Sequence, residues 1–192
     1  MKLNKIALGS MLLLAGGAYA VDESIEAAVQ FRQALSLTKN FDIDFTPGAT
    51  FVDFAGTPGA SDFVQLATNG TVSYAGTAFS GNTAGQAADV SILGDGISAV
   101  NISCSTGATL SNGTNTLSIN QTQLSVNTGD AFGSADHTCA GLGTSPLAHT
   151  LDGTDKVLLG GRIVGDSGVV TSGIYNTTNP SGIPAAVRVV YQ

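Results

Sequence analysis

Two cysteines, two histidines and a scatter of carboxylates hold most of the reactive chemistry in this 192-residue chain. Cys104 and Cys139 are the only thiols. An even count in an exported chain reads as one disulfide, and closing that loop would stabilise the fold by about 4 kcal/mol in the chain-entropy picture. The competing chemistry is a metal pair completed by His137, but a lone H-x-C with one distant Cys matches no zinc spacing, so no metal is assigned. His137 follows Asp136, with Ser134 close by, in a Gly/Ser/Ala-rich stretch. A nucleophilic triad is defined by spatial geometry, and no G-x-S-x-G, H-E-x-x-H or phosphate-cradling Gly loop accompanies these residues. They read as polar residues of the loop that the disulfide would close. Asp42, Asp44 and Asp53 lack the D-x-D-x-D-G spacing of a calcium loop, and Asp42 and Asp44 read as one solvated strand face. Asn69-Gly70-Thr71, Asn101-Ile102-Ser103 and Asn112-Gly113-Thr114 match the glycan acceptor pattern, but read as turn and strand chemistry. The reading is therefore of a non-enzyme without catalytic residues or cofactor.

Other elements must place these residues, and the N-terminus says in which compartment. Lys2 and Lys5 form a basic flank, residues 6–17 an apolar run, and Ala18-Tyr19-Ala20 a small-x-small site. That order predicts a secretory signal peptide over residues 1–20, cleaved before Val21 and too short to span a bilayer. No Cys follows the apolar run to take a lipid. The expected destination lies beyond the inner membrane: periplasm, cell surface or an extracellular fibre. Residues 21–192 suit a single domain. They carry five basic residues against all fourteen acidic ones, which argues against nucleic acid and against anionic lipid. No later apolar stretch is long enough for stable membrane insertion. Charged residues are only 11% of the chain, against roughly 25% in average soluble proteins, so the surface is neutral and hydroxyl-rich.

Alternation dominates after the leader. Ile25, Ala27, Val29 and Phe31 share one parity, and Leu35, Leu37, Phe41, Ile43 and Phe45 continue it. Period two predicts an extended strand with one buried face. Ile183, Ala185, Val187, Val189 and Tyr191 repeat the pattern at the far end. Asn69-Gly70, Asp95-Gly96, Asn112-Gly113 and Asp152-Gly153 stand between short apolar runs as hairpin signals. All five prolines fall at the edges of runs. The expectation is ten to twelve short strands in an all-β, immunoglobulin-like or pilin-like sandwich. Trp is absent, so the immunoglobulin Cys…Trp…Cys pattern is missing.

The order of motifs resembles a bacterial domain-of-unknown-function family, numbered four-four-zero-two. Residues 28–37 followed by Phe41-Asp42-Ile43-Asp44-Phe45 look like its opening strand and "dLdFG" element, with Thr46 in place of the Gly. Residues 84–94 look like its "pa.f.vtG" strand, residues 157–164 like "l.vGGtl.v", and Gly173-Ile174-Tyr175 stands at "G.Y.G". Here residues 176–182 intervene before the last strand. The family has no agreed activity, and the resemblance implies an exported, fimbrial-subunit-like protein. The C-terminal strand, with Val187, Val189 and the penultimate Tyr191, is similar to that of chaperone–usher pilins. That likeness implies a periplasmic chaperone and an usher as assembly partners. The central cysteines depart from the pilin group, whose disulfide sits near the start of the domain.

Together these readings lead to a structural subunit of a surface fibre that self-associates by strand addition. Residues 21–33 would hold the donor segment, with Ile25, Ala27, Val29 and Phe31 as plugs. The alternatives are that this segment is the domain's own first strand, and that the chain is an adhesin or carbohydrate-binding module.

Overall fold

Alternating apolar residues and β-branched side chains favour pleated, half-buried backbone, and Asn, Asp and Gly interrupt it at short intervals. The computed structural model describes residues 32–48, 50–166, 168 and 170–192. The leader and Ile25, Ala27, Val29 and Phe31 lie outside the described residues. Thirteen strands and no helix occur among those described. They are β1 (Ser36–Phe41), β2 (Val52–Phe54), β3 (Phe63–Leu66), β4 (Val72–Ala75), β5 (Phe79–Gly81), β6 (Ala88–Leu93), β7 (Ala99–Cys104), β8 (Ala108–Ser111), β9 (Thr116–Val126), β10 (His137–Thr138), β11 (Leu147–Thr150), β12 (Lys156–Val164) and β13 (Val187–Tyr191). The excess over the expected ten to twelve comes from very short pieces such as β2, β5 and β10.

Two long strands, β9 and β12, form the spine of an eight-stranded antiparallel sheet. On its other edge β12 pairs first with β6, through residues 156–159, and then with β3, through residues 161–164. Beyond them lie β1, paired to β6, and β4, paired to β3. The free side of β9 takes β8 along its first half and β10 near its end. The change of partner on β12 needs backbones in close approach, and Gly160-Gly161 provides it. A Cβ on Gly160 would lie 2.2 Å from the Leu66 carbonyl oxygen, and one on Gly161 would lie 2.4 Å from the Ile119 side chain. Opposite them β9 takes in an extra residue, with Gln121 at φ 50°, a bulge that keeps the ladder in step.

The inner face of this sheet carries two cores. Ala88, Ile92, Leu124, Val157 and Leu159 pack against Val100, Ile102 and Cys104 of β7. β7 is the middle strand of a second, three-stranded sheet ordered β11-β7-β13, and two such layers make a β-sandwich. Val64, Leu66, Val72, Leu117, Ile119 and Ile163 form the second core, closed by Phe45 and by Val170, Tyr175 and Ala185 from the irregular C-terminal stretch. β2 and β5 pair as a separate ribbon.

Two sequence expectations need correction. Asn69-Gly70 and Asn112-Gly113 do turn hairpins, β3–β4 and β8–β9, with both glycines at positive φ. Asp95-Gly96 and Asp152-Gly153 do not. They join β6 to β7 and β11 to β12, which lie in different sheets. Ser98 and Leu151 in these connections are buried, and the Leu151 N–H donates to the Ser98 carbonyl over 3.0 Å. The two connections thus form one end wall of the sandwich. A turn residue reverses the chain, but the apolar surface awaiting the next strand decides which layer that strand enters. The second correction concerns the alternation over residues 35–45. β1 ends at Phe41, and a bulge at Asn40 breaks the single parity. Lys39 stands opposite Val90 and Phe41 opposite Asp89, so Phe41 turns to the outer face while Ile43 and Phe45 return to the core.

Candidate functional site

A sandwich exposes backbone donors and acceptors only at its sheet edges, so the state of each edge decides what can add to it. The β8 edge is covered. Residues 109 and 111 make bridges to Ile183 and Asn176, and the Asn179 side chain donates to the Ser111 carbonyl over 2.7 Å. Asn176 clips that covering loop by accepting from the Thr178 and Asn179 N–H groups. These are the residues inserted before the last strand. The β4 edge is covered as well, by a Val72 N–H to Thr83 carbonyl bond and by the Tyr74 hydroxyl on the Asn82 carbonyl.

β1 and β13 are different. Among the described residues each has one ladder partner, β6 and β7 respectively, and β11 is a shorter open edge. All six β1 residues are exposed. Leu37 stands opposite Ile92 yet is 42% exposed, whereas Ile92 is 3% exposed, so among the described residues little covers the sandwich on this flank. Val187, Val189 and Tyr191 face the core from β13, opposite Cys104, Ile102 and Val100. Arg188 and Val190 alternate outward. Tyr191 fastens the two open strands at a shared corner. Its hydroxyl donates to the Gln33 carbonyl over 2.6 Å and accepts from the Asp95 N–H over 3.0 Å. The Arg32 guanidinium lies 5.4 Å from its ring centroid. Leu35, just before β1, packs on the same core as Val187 and Val189.

The Cys104–Cys139 disulfide joins the end of β7 to the chain just after β10, with Cα atoms 5.1 Å apart and both residues buried. It ties the small sheet to the large one. The neighbouring backbone adds a Gly141 N–H to Cys104 carbonyl bond and a Cys139 N–H to Thr122 carbonyl bond. The polar residues around it do not assemble into a relay. The Asp136 carboxylate accepts the Val126 N–H over 2.7 Å, and the buried His137 Nε2 has no hydrogen-bond partner among the described residues. Asp42 pairs with Lys39, and Asp44 caps Thr46. Asn69 and Asn112 accept the N–H groups of Thr71 and Thr114, as turn residues do.

Sequence reasoning missed one buried ionic cluster. Asp155 is 1% exposed and accepts from the Asp152 N–H over 2.7 Å and the Asn127 amide over 3.2 Å, with His149 Nε2 2.6 Å away. Burial pushes its pKa up, but the His149, Asp152 and Asn127 hydrogen bonds and the His149 charge outweigh burial and hold it below the ordinary carboxylate value. The only signal for this role was an acid one residue ahead of a strongly apolar strand. The cluster fastens the end wall and β11 to β12.

A family model described as Domain of unknown function (DUF4402) matches residues 20–183. The chain belongs to this family. No curated protein and no solved structure matches it. In this DUF4402 member the matched region includes β1 and the Gly160-Gly161 pair on β12, and it stops short of β13. No helix among the described residues is long and apolar enough to cross a membrane, and the disulfide is compatible with an exported protein.

Proposed function

We propose that this DUF4402 chain is an exported structural subunit of a bacterial surface fibre, self-associating by β-strand addition. The observation that carries this reading is the pair of open edges, β1 and β13, that leave one apolar core from a common corner while the β8 and β4 edges are closed. An added strand would find, on β1 and on β13, an edge that pairs with no second strand among the described residues, and Leu37 as an exposed apolar contact. Its register would come from alternate side chains entering the core. The donor is residues 25–31 of a neighbouring copy, with Ile25, Ala27, Val29 and Phe31 as plugs. During export, a periplasmic chaperone would occupy the open edges until an usher exchanges it for the next subunit.

Electron microscopy and sizing of the secreted protein, with and without residues 21–31, test the proposal. The whole chain should form concentration-dependent polymers. The truncated chain should stay folded by circular dichroism, remain monomeric, and bind a synthetic peptide of residues 25–31. Val29→Asp should abolish polymers, because a carboxylate would enter an apolar groove without a partner. Loss of the β signal on truncation would assign the segment to its own domain and reject the donor mechanism.

A further inference from the structure

Phe41 is the one aromatic of β1, and a bulge places it on the outer face of the large sheet. Asn40 is the extra residue, and its amide donates to Asp89 Oδ1 over 2.9 Å and to Ser91 Oγ over 2.7 Å. Without it, Phe41 would follow Leu37 and Lys39 onto the inner side. Bulges re-aim side chains in this manner next to binding sites. The result is a ring 52% exposed beside a concavity of about 360 Å³ on the outer sheet face. Asp89 and Leu158, register partners on β6 and β12, line it, with Lys156, Gln86 and Asn69.

We propose that this concavity binds a neutral saccharide ring. The dimensions suit one or two pyranose units. The exposed face of Phe41 offers negative π-density to the C–H face of a sugar. Around it the polar groups are both acceptors and donors. Asp89 accepts, the Lys156 ammonium donates, and the Asn69 and Gln86 amides do both. Lys156 Nζ lies 3.6 Å from Asp89 Oδ2, so the site carries opposite charges side by side. A phosphate would meet the Asp89 carboxylate. A purely apolar ligand would strip water from this ion pair without replacing the hydrogen bonds that water makes to it. A ligand bearing hydroxyls on its edges and C–H groups on its face satisfies both.

The wall opposite Phe41 is set before any ligand arrives. The Thr68 and Ser125 hydroxyls, both buried, lie 2.7 Å apart, and the Ser125 hydroxyl donates to Asp130 Oδ2 over 2.8 Å. The Asp130 N–H in turn donates to Thr68 Oγ1 over 2.8 Å. This network holds the β9–β10 connection, with Gly129, against the β3–β4 turn, with Asn69 and Gly70. A preformed site loses less entropy on binding than one that must be ordered. Phe41 ends the open-edge strand β1, whereas the other lining residues lie on the outer face of β6 and β12 and in neighbouring turns, so glycoside binding is read on dilute, unpolymerised protein separately from assembly.

The test is a nitrogen-edited NMR titration of the isotope-labelled protein with the methyl glycosides of glucose, galactose, mannose and N-acetylglucosamine at millimolar concentration. Inorganic phosphate serves as the comparison ligand. At least one glycoside should shift the amides of Phe41, Gln86 and Asp89. Phe41→Ala and Asp89→Asn should each weaken that glycoside by about tenfold or more, with the fold verified by thermal melting. Phe51→Ala removes an aromatic ring that is 73% exposed but does not line the concavity, and should leave the affinity unchanged. Silence with all four glycosides, shifts confined to other surfaces, a response to phosphate alone, or unchanged affinity in a folded Phe41→Ala protein would each overturn the proposal.

Discussion

At the scale of single residues, the decisive groups are polar ones placed where no solvent can satisfy them. Asp155 is the clearest. Its carboxylate has lost water and gained three hydrogen-bonding partners, and the net effect holds its pKa below the ordinary value of 3.8. Its folded-state pKa is depressed, so its contribution to stability is complete above the unfolded value and disappears as pH falls through the folded one. Asp62 shifts in the same direction because the Gly59, Thr77 and Ala78 N–H groups donate to it, with burial opposing. Asp155→Asn should therefore cost about 2–3 kcal/mol at neutral pH. Thermal melts of wild type and variant across pH should show the gap narrowing only below the ordinary carboxylate range. A gap independent of pH down to strong acid would mean that packing, not charge, is lost. Beyond an acid one residue ahead of an apolar strand, none of this was visible in the sequence, because Asp155 differs from the other acids chiefly in what surrounds it in three dimensions.

Strand type and number were largely legible, because they depend on local alternation and on turn residues. Partner choice was not, because it depends on distant surfaces. The two Asn-Gly turns close hairpins and the two Asp-Gly turns cross between layers, yet all four are the same kind of local signal. The bulge at Asn40 is equally hidden, since its evidence is a pair of hydrogen bonds to β6. By contrast, the Gly-Gly pair inside an apolar strand was conspicuous as a motif, and its cause is now physical. Gly160→Ala would bring a methyl group against the Leu66 carbonyl oxygen at the point where β12 changes partner. It should destabilise the domain by about 3 kcal/mol or more, an overpacking cost with backbone on the receiving side. Gly113→Ala meets nothing within 4 Å and carries only the cost of its positive φ, about 1–2 kcal/mol. Chemical denaturation of the two variants side by side should reproduce that order.

For the molecule as a whole, the sandwich was readable from alternation and the disulfide from the cysteine count, while the division into two cores on one sheet was not. The disulfide closes a loop with a sequence separation of 35, and Cys104→Ser should cost about 4 kcal/mol, read as a lower denaturation midpoint. An unchanged midpoint would show that the hydrogen bonds around Cys139 hold the two layers together by themselves. The position of β12 in the chain has a further consequence. It is the eleventh-hour strand: β3, β6 and β9 precede it, yet each finds its central ladder partner only in residues 156–164. A chain emerging N-terminus first can make local hairpins but cannot complete either core until more than four-fifths of its 192 residues are out. Non-local pairing of this kind forms slowly. If it is exported as proposed, such a polypeptide would stay threadable for most of its synthesis and commit to a folded shape only once nearly all of it had crossed.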